Sequence, residues 1–243
     1  MASALPANVH VSQHPCLKAK LSQLRSQSTG TRDVQSLVHE IASMVGYEAL
    51  ASGLETKEDG TDTSPLNYTY TRTTISPTLI SLVPILRSGL SMVPALSSLL
   101  PFPVPVHHLG LYREKTTLQP VEYYNNLPYH SQSSTAPSAT NTPNPLNPSH
   151  HAPGPAELAI IVDPIIATGA TACAAIETLR DWGVKRIIMV SVLGSEAGLK
   201  RAAGEWEGVE IWVGGVDQEV DARGMIKPGL GDVGDRLYLT IGK

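Results

Sequence analysis

The chain has 243 residues, 42% of them hydrophobic, with a mean hydropathy near zero and a net charge of −4. That length suffices for one α/β domain with a sizeable core, and the composition is that of a soluble globular protein. The acidic balance excludes non-specific nucleic-acid binding, which needs a basic surface.

In chain order, residues 14–28 read as a first helix and 32–52 as a second, with Val34, Leu37, Val38, Ile41 and Val45 on one face and Gly53 as a stop. The charged, polar segment 54–65 reads as a loop. Strands follow near 66–74 and 79–84, then a helix near 89–100. Pro101, Pro103 and Pro105 make a rigid connection to a hairpin over roughly 106–128. Beyond residue 155 the rhythm is strand 158–162, helix 171–182 closed by Gly183, strand 186–193, helix 196–203 and strand 209–213. Strands alternating with helices imply a mostly parallel sheet flanked by helices. No internal repeat is present.

Segment 131–155 stands apart, being rich in Ser, Thr, Asn, Pro and Ala without any Asp, Glu, Lys, Arg or aromatic residue. It cannot bury enough apolar surface to offset its ordering entropy, so it reads as a disordered, low-complexity insertion in a single domain spanning 1–243. His150 and His151 are adjacent, which is not metal-ligand spacing. Cys16 and Cys173 are isolated, with neither metal-ligand spacing nor a disulfide framework, so a reducing compartment, the cytoplasm, is expected. Residues 1–8 carry no basic region and no sustained apolar run, so neither a signal peptide nor a membrane span is expected.

Residues 158–171 carry the strongest chemical signal. An apolar strand delivers Asp163 at its carboxyl end, where open α/β sheets bind ligands. The turn Ala167-Thr168-Gly169-Ala170-Thr171 has no bulky side chain, so backbone N–H groups can approach an anion. Two threonine hydroxyls add donors, and the following helix points its positive end at the same spot. Such a turn either cradles a sugar phosphate or is an ordinary strand-to-helix connection with a capping threonine.

The same residues resemble the phosphoribosyl diphosphate (PRPP) signature of type I phosphoribosyltransferases, with Pro164 where most members carry a second acid. Three further segments resemble the uracil phosphoribosyltransferase branch in the same order. Leu82-Val83-Pro84-Ile85-Leu86-Arg87-Ser88-Gly89-Leu90 is similar to Pro-Ile-Leu-Arg-Ala-Gly-Leu. Gly110-Leu111-Tyr112-Arg113, with Glu122-Tyr123-Tyr124-Asn125 and Leu127-Pro128, resembles the family's hairpin arm. Ile226-Lys227-Pro228-Gly229-Leu230-Gly231-Asp232-Val233-Gly234-Asp235-Arg236 resembles its uracil-reading segment. His14-Pro15, Leu24-Arg25 and Thr29-Gly30-Thr31 match as well. The resemblance implies a type I phosphoribosyltransferase fold with a β-hairpin arm and a C-terminal base-binding hood. The implied reaction is uracil plus PRPP giving uridine monophosphate (UMP) and diphosphate.

By this resemblance the PRPP set is Arg87, Arg113, Asp163, Pro164, Ile165, Ile166, Ala167, Thr168, Gly169, Ala170, Thr171 and Asp232. Catalytic roles fall to Asp163, on the ribose hydroxyls, to Arg87 and Arg113, on diphosphate, and to Asp232. Mg²⁺ would arrive with PRPP, with Asp232 orienting it through water. Uracil would meet Ile226, Gly231, Asp232 and Val233, largely through backbone groups that Gly229, Gly231 and Gly234 free by positive φ. Ala170, Thr171 and Val233 depart from common family residues without removing a required group. Some relatives respond to GTP, which makes GTP a candidate effector, and members form homodimers or homotetramers.

Plainer roles stand beside these. Arg87 could pair with an acid at a helix start, Arg113 could be solvated, and Asp163 could cap its turn. Asp235 and Arg236 could form a structural pair, and Tyr123 and Tyr124 could be packing or hinge residues. At the level of the whole chain, the alternatives are a catalytically silent regulatory relative or a transferase for another nucleobase.

Overall fold

The computed structural model describes residues 4–114, 119–128 and 154–240, so most of segment 131–155, with its expected disorder, lies outside the described residues. The chain begins with a short strand β1 (Val9–Val11) and helix α1 (Pro15–Arg25). Pro15 sits in the first helical turn, where no intrahelical N–H is needed, and His14 Nδ1 accepts from Cys16 N at 3.2 Å as the cap. Helix α2 (Thr31–Gly53) turns Val34, Leu37, Val38, Ile41 and Val45 inward, as the periodicity predicts. Gly53 is its last residue, buried where a Cβ would lie 2.2 Å from Ile188 Cδ1.

Segment 54–65 is not a loop. It forms strand β2 (Glu55–Thr63), antiparallel to β3 (Thr69–Ser76). Every residue of β2 is exposed, so the apolar alternation that marks a half-buried strand is missing from the sequence. Threonines on both strands supply the β preference instead.

Strand β4 (Ile80–Leu86) leads into a 3₁₀ turn, Ser88–Met92, and then helix α3 (Val93–Leu99). The single helix expected over 89–100 is divided because Pro94, in the first turn of α3, has no N–H with which to continue the preceding turn. The hairpin is β5 (Leu109–Arg113) and β6 (Pro120–Asn125). Next come β7 (Leu158–Val162), β8 (Ile165–Ile166) and α4 (Ala170–Trp182), closed by Gly183 at φ 104°. The strand expected over 186–193 breaks into β9 (Arg186–Ser191) and β10 (Leu193–Ser195). At the break, the N–H groups of Val192 and Leu193 both turn to the Pro164 carbonyl, at 3.1 and 3.0 Å. Helix α5 (Glu196–Ala203) and β11 (Val209–Val213) follow, then the short strands β12 (Val216–Asp217), β13 (Glu219–Val220) and β14 (Ile226–Lys227), and finally helix α6 (Val233–Tyr238).

The main sheet has the order β1-β11-β9-β7-β4-β5-β6, parallel throughout except for the β5–β6 hairpin. Strand β7 is apolar along its length because both faces are covered. Leu158, Ile160 and Val162 enter a core with α1, α2 and α3, while Ala159 and Ile161 enter a second core with α4 and α5. After β4 the chain moves to β5 on one side, and after β7 it moves to β9 on the other. The order therefore reverses between β4 and β7, and a crevice opens beyond their carboxyl ends. β8, β10 and β12 form a small parallel sheet beside it, and Ile226, Leu230, Val233 and Leu237 of the C-terminal hood join the first core.

Candidate active site

The crevice holds a cavity of about 210 Å³. Strand β4 contributes Ile85, Leu86 and Ser88 of the following turn, and β5 contributes Leu111. The loop after β7 contributes Asp163, Ile165, Ile166, Ala167, Thr168, Gly169 and Thr171. The hood covers it with residues 224–226 and 230–234, including Ile226, Gly231, Asp232 and Val233. The loop after β7 and the hood are thus two walls of one chamber.

Why the loop takes this shape follows from its glycines and its supports. Gly169 caps α4 at φ 76°, and a Cβ there would lie 2.6 Å from the Gly198 carbonyl. A Cβ on Gly198 would in turn lie 2.2 Å from the Ala167 carbonyl. Ser195 caps α5 by accepting from Gly198 N at 2.9 Å and donates to Ala167 O at 2.5 Å, so the start of α5 buttresses the turn. No side chain caps α4. Its N-terminus, with Gly169 and Thr171, faces the cavity. Thr168 Oγ1 lies 3.5 Å from Ala170 N. Ala170 is itself helical and does not line the cavity. Pro164 does not line it either, its carbonyl being taken by Val192 and Leu193.

Asp163 is buried at the cavity wall. Burial pushes its carboxyl up to about 7, opposed by hydrogen bonds from Ser88 Oγ at 3.1 Å and from the Ile165 N–H.

Arg87 is half exposed and is not among the residues that line the cavity, although its neighbours Leu86 and Ser88 are; its Nη2 lies 3.9 Å from Asp235 Oδ1 and near Gly234. Its backbone carbonyl accepts from Tyr238 Oη at 3.2 Å. The Arg113 backbone ends β5, while its side chain lies outside the described residues. Asp232 caps α6, accepting from Asp235 N at 3.0 Å. Gly229 and Gly231 have φ of 63° and 70°. Gly234, grouped with them from the sequence, lies instead in the first turn of α6 and needs no positive φ. Nor do Asp235 and Arg236 pair with each other. Arg236 donates to the carbonyls of Leu24, Ser26 and Leu230, and Asp235 accepts from Thr240 Oγ1. Both tyrosines of the arm, Tyr123 and Tyr124, are exposed.

Sequence reasoning passed over Ser88, Leu111, Met225 and Leu230, which line the chamber, and Ser195 and Asp217, which brace it. Ser88 adjoins Arg87 in an already singled-out segment, so position alone could have flagged it. Nothing local marks Asp217. No cluster of three or more His, Cys, Asp or Glu suited to a metal occurs among the described residues, and no described helix is long and apolar enough to cross a membrane.

The chain is similar to known proteins over nearly its whole length. Residues 11–240 match the profile described as uracil phosphoribosyltransferase. A putative uracil phosphoribosyltransferase of Schizosaccharomyces pombe is 40% identical over 232 residues, covering 96% of this chain and 90% of its own. The uracil phosphoribosyltransferase of Listeria welshimeri is 36% identical over 234 residues, covering 96% and 99%. Among solved structures, the AQ2163 protein of Aquifex aeolicus superposes with a TM-score of 0.77 at 30% identity, over 96% of this chain and 98% of its own.

Proposed function

Because the chain belongs to the uracil phosphoribosyltransferase family, we propose that its cavity transfers the phosphoribosyl group of PRPP to N1 of uracil, giving UMP and diphosphate. The C1′–N1 bond forms, the C1′–O bond breaks with its electron pair leaving on diphosphate, and the N1 proton passes to solvent. The single observation that carries the site assignment is the meeting of the Asp163 loop and the Ile226–Val233 hood in one cavity at the switch point.

Each side chain then has a task. The open N-terminus of α4 and the Thr168 and Thr171 hydroxyls hold the 5′-phosphate. Asp163 accepts from the ribose hydroxyls and so locates C1′. Arg87, with Arg113 from the hairpin, neutralises the charge that grows on diphosphate, since guanidinium offers paired donors to phosphate oxygens. The backbone of Ile226, Gly231, Asp232 and Val233 reads the uracil edge. Cytosine presents an amino group where uracil has O4, leaving a backbone N–H unsatisfied at a cost of about 1–3 kcal/mol. The hood places N1 in line with the departing oxygen.

Mg²⁺ belongs to this reading as a companion of PRPP, supplying positive charge to the phosphate oxygens. Asp232, which lines the cavity, is the carboxylate that would orient such an ion through water. Two free cysteines, one exposed and one buried, suit the cytoplasm. GTP as effector and assembly as a homodimer or homotetramer rest on the family resemblance alone.

The test is diphosphate release from PRPP and Mg²⁺ with uracil, cytosine, hypoxanthine or no base. Release with uracil alone is expected. Release with another base would overturn the reading of the hood, and PRPP binding without turnover would mark a silent relative.

A further inference from the structure

Two hydroxyls of a ribose that both donate to one carboxylate need that carboxylate charged and turned the right way. A protonated acid has lost one acceptor site and competes as a donor. Asp163 is the acid that the cavity wall buries, and burial favours its neutral form. In this chain two donors oppose that tendency, one of them on Ser88, which stands where the family segment carries Ala. The Ile165 N–H belongs to the backbone of the same loop. The other donor is a side chain 75 residues away, Ser88 Oγ, at 3.1 Å from Asp163 Oδ1.

The placement of Ser88 is held on all sides. Gly89 follows it, and a Cβ there would lie 2.3 Å from the Val162 carbonyl, so the 3₁₀ turn rests directly on the end of β7. Ser91 Oγ donates to the Ser88 carbonyl at 2.7 Å, and the preceding Arg87 carbonyl accepts from Leu90 N and Tyr238 Oη, both at 3.2 Å. Among the described residues, the surrounding elements supply no further side-chain hydrogen bond to the carboxylate. From β9, Ser191 Oγ donates to the Asp163 backbone carbonyl and not to its side chain. From α6, Asp235 faces Arg87 at 3.9 Å, Asp232 caps its own helix, and Tyr238 reaches the Arg87 carbonyl. Arg87 itself is directed to Asp235.

We propose that Ser88 is a positioning residue for PRPP, its hydroxyl orienting the Asp163 carboxylate toward the bound ribose and stabilising its charge. This rests on the reading of Asp163 as the ribose acceptor. It deepens that reading by assigning to the β4 turn, otherwise concerned with diphosphate through Arg87, a second task at the ribose.

The experiment compares Ser88→Ala and Ser88→Thr with the wild-type chain. It measures KM for PRPP and for uracil, the pH profile of kcat/KM for PRPP, and PRPP binding by calorimetry without base. Hydrogen bonds to charged groups are among the stronger ones, so Ser88→Ala should raise KM and Kd for PRPP by about tenfold or more at neutral pH. Its uracil KM should stay within about twofold, since the hydrogen bond of the Ser88 hydroxyl goes to Asp163 and not to the hood. The acid limb of its profile should move to higher pH, and its deficit should shrink near about pH 9, where the carboxyl ionises even without the extra donor. Ser88→Thr, which keeps the hydroxyl, should recover most of the loss. An Ala variant with wild-type PRPP affinity and an unmoved acid limb would overturn the proposal. Equal impairment of Ala and Thr variants at every pH would overturn it too, by pointing to packing. A wild-type chain that binds no PRPP would overturn the ribose reading itself, an outcome the calorimetry separates from the others.

Discussion

Arg25 and Asp217, 192 residues apart, form a two-pronged ion pair, with Nη1–Oδ2 at 2.8 Å and Nη2–Oδ1 at 2.7 Å, and together they grip the backbone of Gly229. Arg25 Nη1 donates to the Gly229 carbonyl at 3.0 Å, and Asp217 Oδ2 accepts from Gly229 N at 3.0 Å. The C-terminal hood is thus fastened to the end of α1. Removing one partner leaves a largely buried charge without its mate, which costs about 3–5 kcal/mol. Arg25→Ala and Asp217→Asn are expected to lower the melting temperature and to raise the uracil KM more than the PRPP KM. Steady-state kinetics beside thermal unfolding would check this, and a uniform loss on both substrates would count against it.

Gly229 is the sterically tightest point of that hood. At φ 63°, a Cβ would stand 2.1 Å from the Ile226 carbonyl. Gly229→Ala must therefore move the loop, at a cost of about 1–3 kcal/mol. The expected result is a uracil KM raised by roughly tenfold or more with PRPP binding retained, read by calorimetry with each ligand separately.

The raised Asp163 carboxyl has opposite consequences for activity and stability. If Asp163 accepts the ribose hydroxyls as proposed, only its ionised form does so, and kcat/KM for PRPP should rise as pH passes about 7. Between the ordinary carboxyl value, 3.8, and about 7, the folded chain binds more protons here than the unfolded chain. Stability should consequently fall as pH rises through that window, by as much as about 4 kcal/mol from this group. Asp163→Asn should abolish turnover yet flatten that pH dependence of the melting temperature. A variant with the wild-type slope would refute the assignment of the slope to Asp163.

Arg87→Ala should lower kcat by about 10²–10³, the usual consequence of losing one preorganised donor to developing charge. Arg87→Lys should recover it only in part, because ammonium cannot pair two phosphate oxygens. Arg113→Ala is expected to behave in the same way. Full activity in either alanine variant, measured by diphosphate release, would remove that arginine from the mechanism.

Pro128 and Gly154 border the same pocket, of about 330 Å³, beside Trp182. A short linker in place of 131–153 should then leave kcat and the melting temperature unchanged. A large drop in either would show that the insertion contributes to the folded enzyme.

What could be read in advance follows a physical division. The α2 stripe, strand β7 and the turn into α4 are local: apolar periodicity, an acid at a strand end and small residues before a helix are all written in contiguous residues. They suffice for an α/β chain with an anion loop at Asp163, and the family motifs add its expected substrates. Strand β2 escaped because it is polar on both faces and owes its form to pairing with β3 rather than to burial. The division of helix 89–100 was legible in Pro94 but depended on how the turn packs against β7.

The sequence by itself therefore determined the elements whose stability is local and the groups that could do chemistry. Only the tertiary structure decided which groups meet. The reversal of strand order between β4 and β7 brings Ser88 to Asp163, and the return of the chain over α1 brings Asp217 and Gly229 to Arg25. The same meetings decide that Arg236 serves backbone carbonyls rather than Asp235. Such contacts join residues distant in sequence, and no spacing rule records them, because they are fixed by burial of the sheet's two faces rather than by any preference of the residues themselves.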